Sequence, residues 1–158
     1  RNHSSAASDV YKRQPEVRAS LHIPHTFDRE DAWNQMTRHL GQWALRNSGQ
    51  WAVEAKATGE LLGRAGTHRP ERPEWPGLEC GWTFDPAHWG NGYATEAGRA
   101  TVEWAFANHP DDRIFSVILP DNLASQSVAS RLGFTLLEER VLPFFPSAPH
   151  GIWVLPRP

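Results

Sequence analysis

The spacing of apolar residues predicts a long helix in the first third of the chain. Over residues 29–47 they recur every three or four positions, the period of one face of an α-helix. These positions are Ala32, Trp33, Met36, Leu40, Trp43 and Ala44. Thr26 or Asp28 is placed to cap the start of this helix, and Gly49 follows its end.

Strands are predicted next. Residues 51–55 and 60–68 flank a turn at Thr58 and Gly59, a pattern typical of a β-hairpin. A proline-rich loop over residues 69–77 leads to a third apolar strand at 78–84.

The second half predicts a parallel strand pair. Residues 93–108 form a helix with small residues on one face, and residues 113–119 form a nearly continuous apolar strand. Two strands joined by a crossover helix lie parallel in a right-handed unit. A short helix at 121–132 follows, with strands at 134–142 and 151–155 separated by a proline-rich turn, so the fold class is α/β.

Composition limits the class of protein. The chain has 158 residues, enough for one domain, and a net charge of −2, which gives no long-range attraction to nucleic acid or to a membrane. The single cysteine excludes an internal disulfide and favours the cytoplasm. No apolar run approaches the roughly 20 residues that span a bilayer. Residues 1–14 show no helix or strand period and are expected to be a disordered or non-native leader.

A glycine turn between the third strand and the following helix is a candidate anion site. It comprises Trp89, Gly90, Asn91, Gly92, Tyr93, Ala94 and Thr95. The amides of residues 90–95 would point at a phosphate at the helix N-terminus; the alternative is an ordinary strand-to-helix turn. The turn lacks the lysine of a Walker motif and the third glycine of a dinucleotide fingerprint.

Four stretches together resemble the GNAT superfamily of acetyl-CoA-dependent N-acetyltransferases. They are residues 54–66, 78–84, 88–97 and 120–134, which resemble in turn the family's second and third strands, its fourth strand, its acetyl-CoA loop, and the exit of its fifth strand with the next helix. The chain most resembles the branch that acetylates ribosomal-protein N-termini. Trp89 stands where the family signature has Arg or Gln.

The resemblance implies a mixed, mostly antiparallel sheet with one splayed parallel strand pair and helices on both faces. It covers the chain from about Pro15 to the C-terminus. The family's first strand and helix should come earlier, and residues 1–14 resemble neither, so residues 15–158 are expected to be a single GNAT domain that is truncated at its N-terminus.

The implied reaction transfers acetyl directly from acetyl-CoA to a primary amine, either a peptide N-terminus or a small molecule, in a ternary complex. The pantetheine arm would lie between the parallel strands and pair with the backbone of Trp82, Thr83 and Phe84. A backbone N–H there would stabilise the oxyanion. The expected assembly is a monomer or a homodimer.

Four further residues receive candidate roles by this resemblance, each with an ordinary alternative. Glu79 is the candidate general base, or an outward-facing strand residue. Ser125 is the candidate acid for the thiolate, or a first-turn serine. Asn122 would contact the cofactor, cap the helix, or do both. Arg131 would reach the phosphate end of the cofactor, or lie solvated on its helix.

Two rival functions remain open at this point. One is a CoA-binding domain of the same fold without catalytic activity, and the other is a nucleotide-binding regulator. The eight histidines are scattered without a metal-binding spacing, so no metal is expected.

Overall fold

The computed structural model describes residues 14–21 and 28–158. Within these ranges the helices are α1 (Pro15–Leu21), α2 (Arg29–Arg46), α3 (Tyr93–Asn108) and α4 (Leu123–Arg131). The strands are β1 (Gln50–Glu54), β2 (Leu61–His68), β3 (Glu79–Phe84), β4 (Arg113–Ile118), β5 (Thr135–Leu142) and β6 (Phe145–Pro156).

The described strands form one mixed sheet in the order β1-β2-β3-β4-β6-β5. All neighbours are antiparallel except β3 and β4, which confirms the predicted parallel pair. β3 and β4 share only the register pair Glu79 and Phe115, supported by a 2.9 Å bond from the Phe115 N–H to the Leu78 carbonyl. Beyond this point the two strands lose their ladder, so the sheet has a gap between them.

The helix α3 packs closely on one face of the sheet, which we call the first face. Its residues Gly98, Thr101 and Ala105 are buried, as the small-residue pattern predicts. A Cβ atom at Gly98 would lie 2.6 Å from Leu132 Cδ1 and 3.6 Å from Trp82 Cε3. The absence of a side chain at Gly98 therefore lets α3 approach both α4 and β3. The first-face core is formed by Leu78, Cys80, Ala105, Ile114, Ile118, Ala129 and Phe134.

The helix α2 lies over the opposite, second face. Successive strand residues point to opposite faces, so Glu79 lies on the second face because Cys80 is in the first-face core. Arg64 pairs across the sheet with Thr83, which shares the face of Glu79, and its Nη1 lies 2.9 Å from His39 Nε2 of α2.

Three tryptophans join the two helices at the edge of the sheet. The rings of Trp43 on α2, Trp51 on β1 and Trp104 on α3 lie with their centroids 4.8 to 5.2 Å apart. They cover the end of the sheet at β1, so these three aromatic residues have a packing role.

The cap of α2 is as predicted at its start and different at its end. Asp28 accepts a hydrogen bond from the Asp31 N–H, and Asp31 accepts one from the Asp28 N–H. The other candidate cap, Thr26, lies outside the described residues. At the C-terminus the left-handed residue is Asn47, with φ 46°, and not Gly49. Gly49 is needed for space, since a Cβ there would lie 2.4 Å from Trp43 Nε1.

The prediction of a proline-rich turn between the last two strands is wrong over most of the stretch it covers. β6 already begins at Phe145 and includes Pro146 and Pro149. Residues 145–150 pair only with β5, because pairing of β6 with β4 starts at Gly151. Proline is tolerated in such a segment, since the side without a neighbouring strand needs no N–H donor.

The sequence pattern did not predict α1. Val17 of α1 is buried, at 1% exposure. Residues 1–13 of the predicted leader lie outside the described residues, whereas Gln14 is described, and its Nε2 donates to Asp85 Oδ1 at 3.4 Å.

Candidate active site

The glycine turn has the backbone conformation that an anion cradle needs. Gly90 and Gly92 have φ values of 79° and 83°, in the left-handed region that glycine adopts without strain. A Cβ atom at either position would meet nothing within 4 Å, so the space above both is open. Gly92 is the N-cap residue of α3, and within the described chain no side chain caps this helix. The first amides of α3 are therefore available to a ligand.

A cleft of about 930 Å³ on the first face joins the end of β3, the glycine turn and the start of α4. Most of the predicted cofactor residues line it. They are Trp82, Thr83, Phe84, Trp89, Gly90, Gly92, Tyr93, Ala94, Thr95, Asn122, Ser125 and Arg131. The structure thus brings together residues that lie up to 49 positions apart in the sequence (from 82 to 131).

Asn91 is the one predicted cofactor residue that is not among those lining the cleft. Its Nδ2 donates to the carbonyls of His88 and Trp89, at 3.1 and 3.2 Å. These bonds hold the turn from outside, so Asn91 shapes the cradle.

Trp89 contacts the sheet through a hydrogen bond that the sequence did not predict. Its indole Nε1 donates to the Phe84 carbonyl at 2.9 Å. The Asp85 N–H bonds to the Leu62 carbonyl of β2, and antiparallel ladders alternate. The backbone polar groups of Phe84 and Trp82 therefore face the gap, and those of Thr83 face β2. The indole thus donates a hydrogen bond to one of the carbonyls that face the gap.

The start of α4 combines capping with a place in the cleft. Asn122 Oδ1 accepts from the Ser125 N–H at 3.1 Å, which confirms the predicted N-cap. Both residues also line the cleft. Gln126 fixes the preceding loop by donating to the carbonyls of Leu119 and Pro120, at 3.3 and 2.8 Å.

Several lining residues were missed by the sequence analysis. They are Val17, Leu21, His88, Glu96, Arg99, Ala100, Glu103, Ala124, Ser127 and Val128. Val17 and Leu21 belong to α1, and their spacing of four residues after Pro15 was the available signal. The side chain of His88 is half-buried, and its Nε2 lies 3.4 Å from Glu60 Oε1.

The candidate base Glu79 lies apart from this cleft, on the second face at the base of the gap. Its Oε2 is 3.4 Å from His68 Nδ1, and both side chains are 16% exposed. Burial lowers the pKa of the neighbouring Arg72, Glu79 partly offsets this shift by attraction, and Arg38 adds to it by repulsion. On the first face, burial raises the pKa of the Cys80 thiol well above its ordinary range, and Glu79 adds to that shift.

The described residues contain neither a cluster suited to a metal ion nor a membrane-spanning helix. Among the described residues, no three His, Cys, Asp or Glu side chains are grouped so that they could hold a metal ion. In the same part of the chain, every helix is too short or too polar to cross a membrane.

A mixed sheet opened between two parallel strands, with an uncapped helix start on a glycine turn at the opening, is the architecture of acyl-CoA-dependent acyltransferases. Residues 2–135 match the family described as acetyltransferase (GNAT) domain, and the chain belongs to that family. The match overlaps most of the segment predicted as a leader.

Known proteins are similar to this chain in sequence and in structure. The chain is 36% identical over 104 residues to the uncharacterized protein YkkB of Bacillus subtilis (strain 168), an alignment that covers 63% of this chain and 60% of YkkB. An acetyltransferase from Agrobacterium tumefaciens str. C58 has a similar structure, with a TM-score of 0.79 and 28% identity over 96% of this chain and 84% of its own.

A more distant structure shows the same fold. The aminoglycoside acetyltransferase AAC(6')-Ib, crystallised with coenzyme A and kanamycin, has a TM-score of 0.78 at 17% identity. The similarity covers 99% of this chain and 91% of that one.

Proposed function

We propose that this chain is an N-acetyltransferase that moves the acetyl group of acetyl-CoA to a primary amine. The observation that carries the proposal is the open glycine turn at the mouth of the β3–β4 gap. Left-handed glycines, uncapped helix amides and a cleft of about 930 Å³ fit an elongated ligand with a pyrophosphate at one end.

Each part of the cofactor has a matching part of the cleft. The pyrophosphate would accept hydrogen bonds from the amides of residues 90–94, since the Thr95 N–H already donates to the Gly92 carbonyl at 3.0 Å, and Arg131 would lie near the phosphate end. The pantetheine would lie in the gap and pair with the backbone of Trp82, as an added strand does. Because Trp89 already bonds to the Phe84 carbonyl, that carbonyl contributes less to pantetheine binding than the resemblance implies.

The chemical step is a direct displacement. The amine nitrogen attacks the thioester carbonyl, the C–N bond forms, and the C–S bond breaks as the CoA thiolate leaves. The gap-facing N–H of Trp82 or Phe84 would stabilise the oxyanion. Ser125 would give the thiolate a proton, and Glu79 would accept the proton that the ammonium loses.

Glu79 lies where an acceptor approaching from the second face would meet a thioester held in the gap. Replacing it tests this role. We expect Glu79→Gln to lower turnover and leave acetyl-CoA affinity unchanged, whereas Glu139→Gln, an exposed change on β5, should alter neither. Unchanged turnover in Glu79→Gln would remove Glu79 from the role of base.

Cofactor binding is tested by thermal unfolding with acetyl-CoA, CoA or ATP. Ligand at 100 times its dissociation constant adds about 2.7 kcal/mol, or roughly 5–10 °C for a chain of this size. We expect a shift with acetyl-CoA and CoA. A shift with ATP alone would favour the nucleotide-binding alternative.

A CoA-binding domain without catalytic activity is the second candidate. The separation of Glu79 from the cleft, together with its contact to His68, favours it. Thiol release from acetyl-CoA with a panel of amines distinguishes the two, since an inactive domain binds the cofactor and releases no thiol.

Two finer proposals rest on the sequence. The resemblance to the ribosomal-protein branch supports a peptide N-terminus as one acceptor to include in the panel. The single cysteine supports the cytoplasm as the compartment.

A further inference from the structure

We propose that the acceptor site lies on the second face above Gly81 and selects an amine that also carries a carboxylate, in preference to a polycationic amine. This inference rests on the proposed N-acetyltransferase function and adds the class of its substrate.

The space above Gly81 is bordered by a candidate base and a polar side chain. A Cβ atom at Gly81 would meet only Gln50 Nε2 at 3.6 Å and Glu79 Oε1 at 3.9 Å, both ordinary contacts. Gly81 comes directly after the point at which β3 and β4 separate. An amine placed here is therefore beside Glu79 and faces the gap from the side opposite the cofactor cleft.

The guanidinium of Arg64 is hydrogen-bonded to Gln50, one of the two side chains that border this space. Arg64 Nη1 donates to Gln50 Oε1 and contacts His39 Nε2. The Nε of Arg64 is buried and has no hydrogen-bond partner among the described residues. Buried guanidinium N–H groups are normally paired, and a carboxylate is the acceptor that suits their geometry.

A second guanidinium, that of Arg72, is fixed close to the Glu79 carboxylate. Arg72 lies over the rings of Trp75 and Phe144, with its Cζ 5.0 and 3.4 Å from their centroids. It interacts electrostatically with Glu79 and with Arg38. Arg72 therefore lies near Glu79, Arg38 lies near Arg72, and Arg64 contacts the Gln50 side chain that borders the same space.

The excess of positive charge near this space affects which groups the acceptor can carry besides its amine. It repels a second cation on the amine substrate and attracts an anionic oxygen.

The test compares acids with their amides on the full chain. Thiol release from acetyl-CoA is measured with alanine and alanylalanine, with alaninamide and alanylalaninamide, and with kanamycin as the polycationic amine. We expect kcat/KM for the free acid to exceed that for its amide by about tenfold or more in at least one pair. Amides that equal both acids, or kanamycin as the best substrate, would overturn the inference.

Substitution of the arginine supplies an internal control. Arg64→Gln should reduce the acid-to-amide ratio of kcat/KM towards one, and Arg72→Gln provides a second variant if the first folds poorly. Arg113→Gln, an exposed change at the start of β4, should leave the ratio unchanged. A general folding defect lowers both rates equally, so an unaltered ratio in both second-face variants contradicts the proposal.

The outcome separates this inference from the function on which it rests. Acetylation of amides without a preference for acids removes only the substrate class. Acetyl-CoA binding without thiol release by any amine removes the enzymatic function and this inference with it.

Discussion

Replacing Gly92 by alanine tests the cradle at the start of α3. Gly92 has φ 83° and ψ −3°, where the Cβ of an L-residue costs roughly 1–2 kcal/mol. No atom lies within 4 Å of the added Cβ, so contacts neither relieve nor increase this cost. We expect Gly92→Ala to lower the free energy of unfolding by roughly 1–2 kcal/mol. Gly92→Asn should cost less, because asparagine tolerates the left-handed region.

Gly41 provides a matched control with the opposite sign. It lies inside α2, and an added Cβ there would also have no atom within 4 Å. Alanine relieves the entropic cost of a helical glycine, so Gly41→Ala should raise the free energy of unfolding by roughly 0.5–1 kcal/mol. The two substitutions add the same methyl group and differ only in the backbone conformation that receives it.

Urea unfolding measures the effect of Gly92→Ala on stability, and acetyl-CoA titration measures its effect on cofactor affinity. Each kcal/mol shifts the melting temperature by roughly 2–4 °C in a chain of this length. Gly92→Ala should also weaken acetyl-CoA binding by about tenfold, because relief of the strain turns the helix amides away from the phosphate. Wild-type stability in Gly92→Ala would refute the left-handed turn, and wild-type affinity would refute the cradle.

Three other changes probe the cleft and the core. Trp89→Phe removes the donor to the Phe84 carbonyl and should cost about 0.5 kcal/mol in urea unfolding, because the side chain is half-exposed. Asn122→Ala should cost about 1 kcal/mol through loss of the cap on the Ser125 N–H, and Asn122→Asp should restore most of it. Burial raises the Cys80 pKa, so only the unfolded chain ionises this thiol as the pH rises above its ordinary value of 9.0. Stability should then fall by about 1.4 kcal/mol per pH unit above that value, a slope that Cys80→Ala should lack.

The first-face site was predictable because its signals are local. The bounds of α3 follow from a glycine turn at one end and a proline after the other, and the structure places them at Tyr93 and Asn108, as predicted. The parallel pair follows from the handedness of a strand–helix–strand unit. These features depend on neighbouring residues, so the residue pattern is sufficient to predict them.

Other features depended on partners distant in sequence. Alternation along β3 shows that Glu79 and Cys80 point to opposite faces, but it does not show which face carries the cleft. The face on which α3 packs decides this. The strand at Pro146 and Pro149 was missed for a similar reason, since proline is tolerated there only because β4 pairs with a later part of β6.

The two faces of the gap therefore differ in how they are encoded. The cofactor face depends on one turn and the helix it begins, and a change there alters the folding of α3. The acceptor face draws Gln50 from β1, Arg64 from β2, Glu79 from β3 and Arg72 from a loop. None of these side chains belongs to the first-face core, so the acceptor can change by substitutions that leave cofactor binding intact. For this reason the family resemblance predicts little about which amine is selected. The charged side chains around Gly81 are the more direct evidence on that selection.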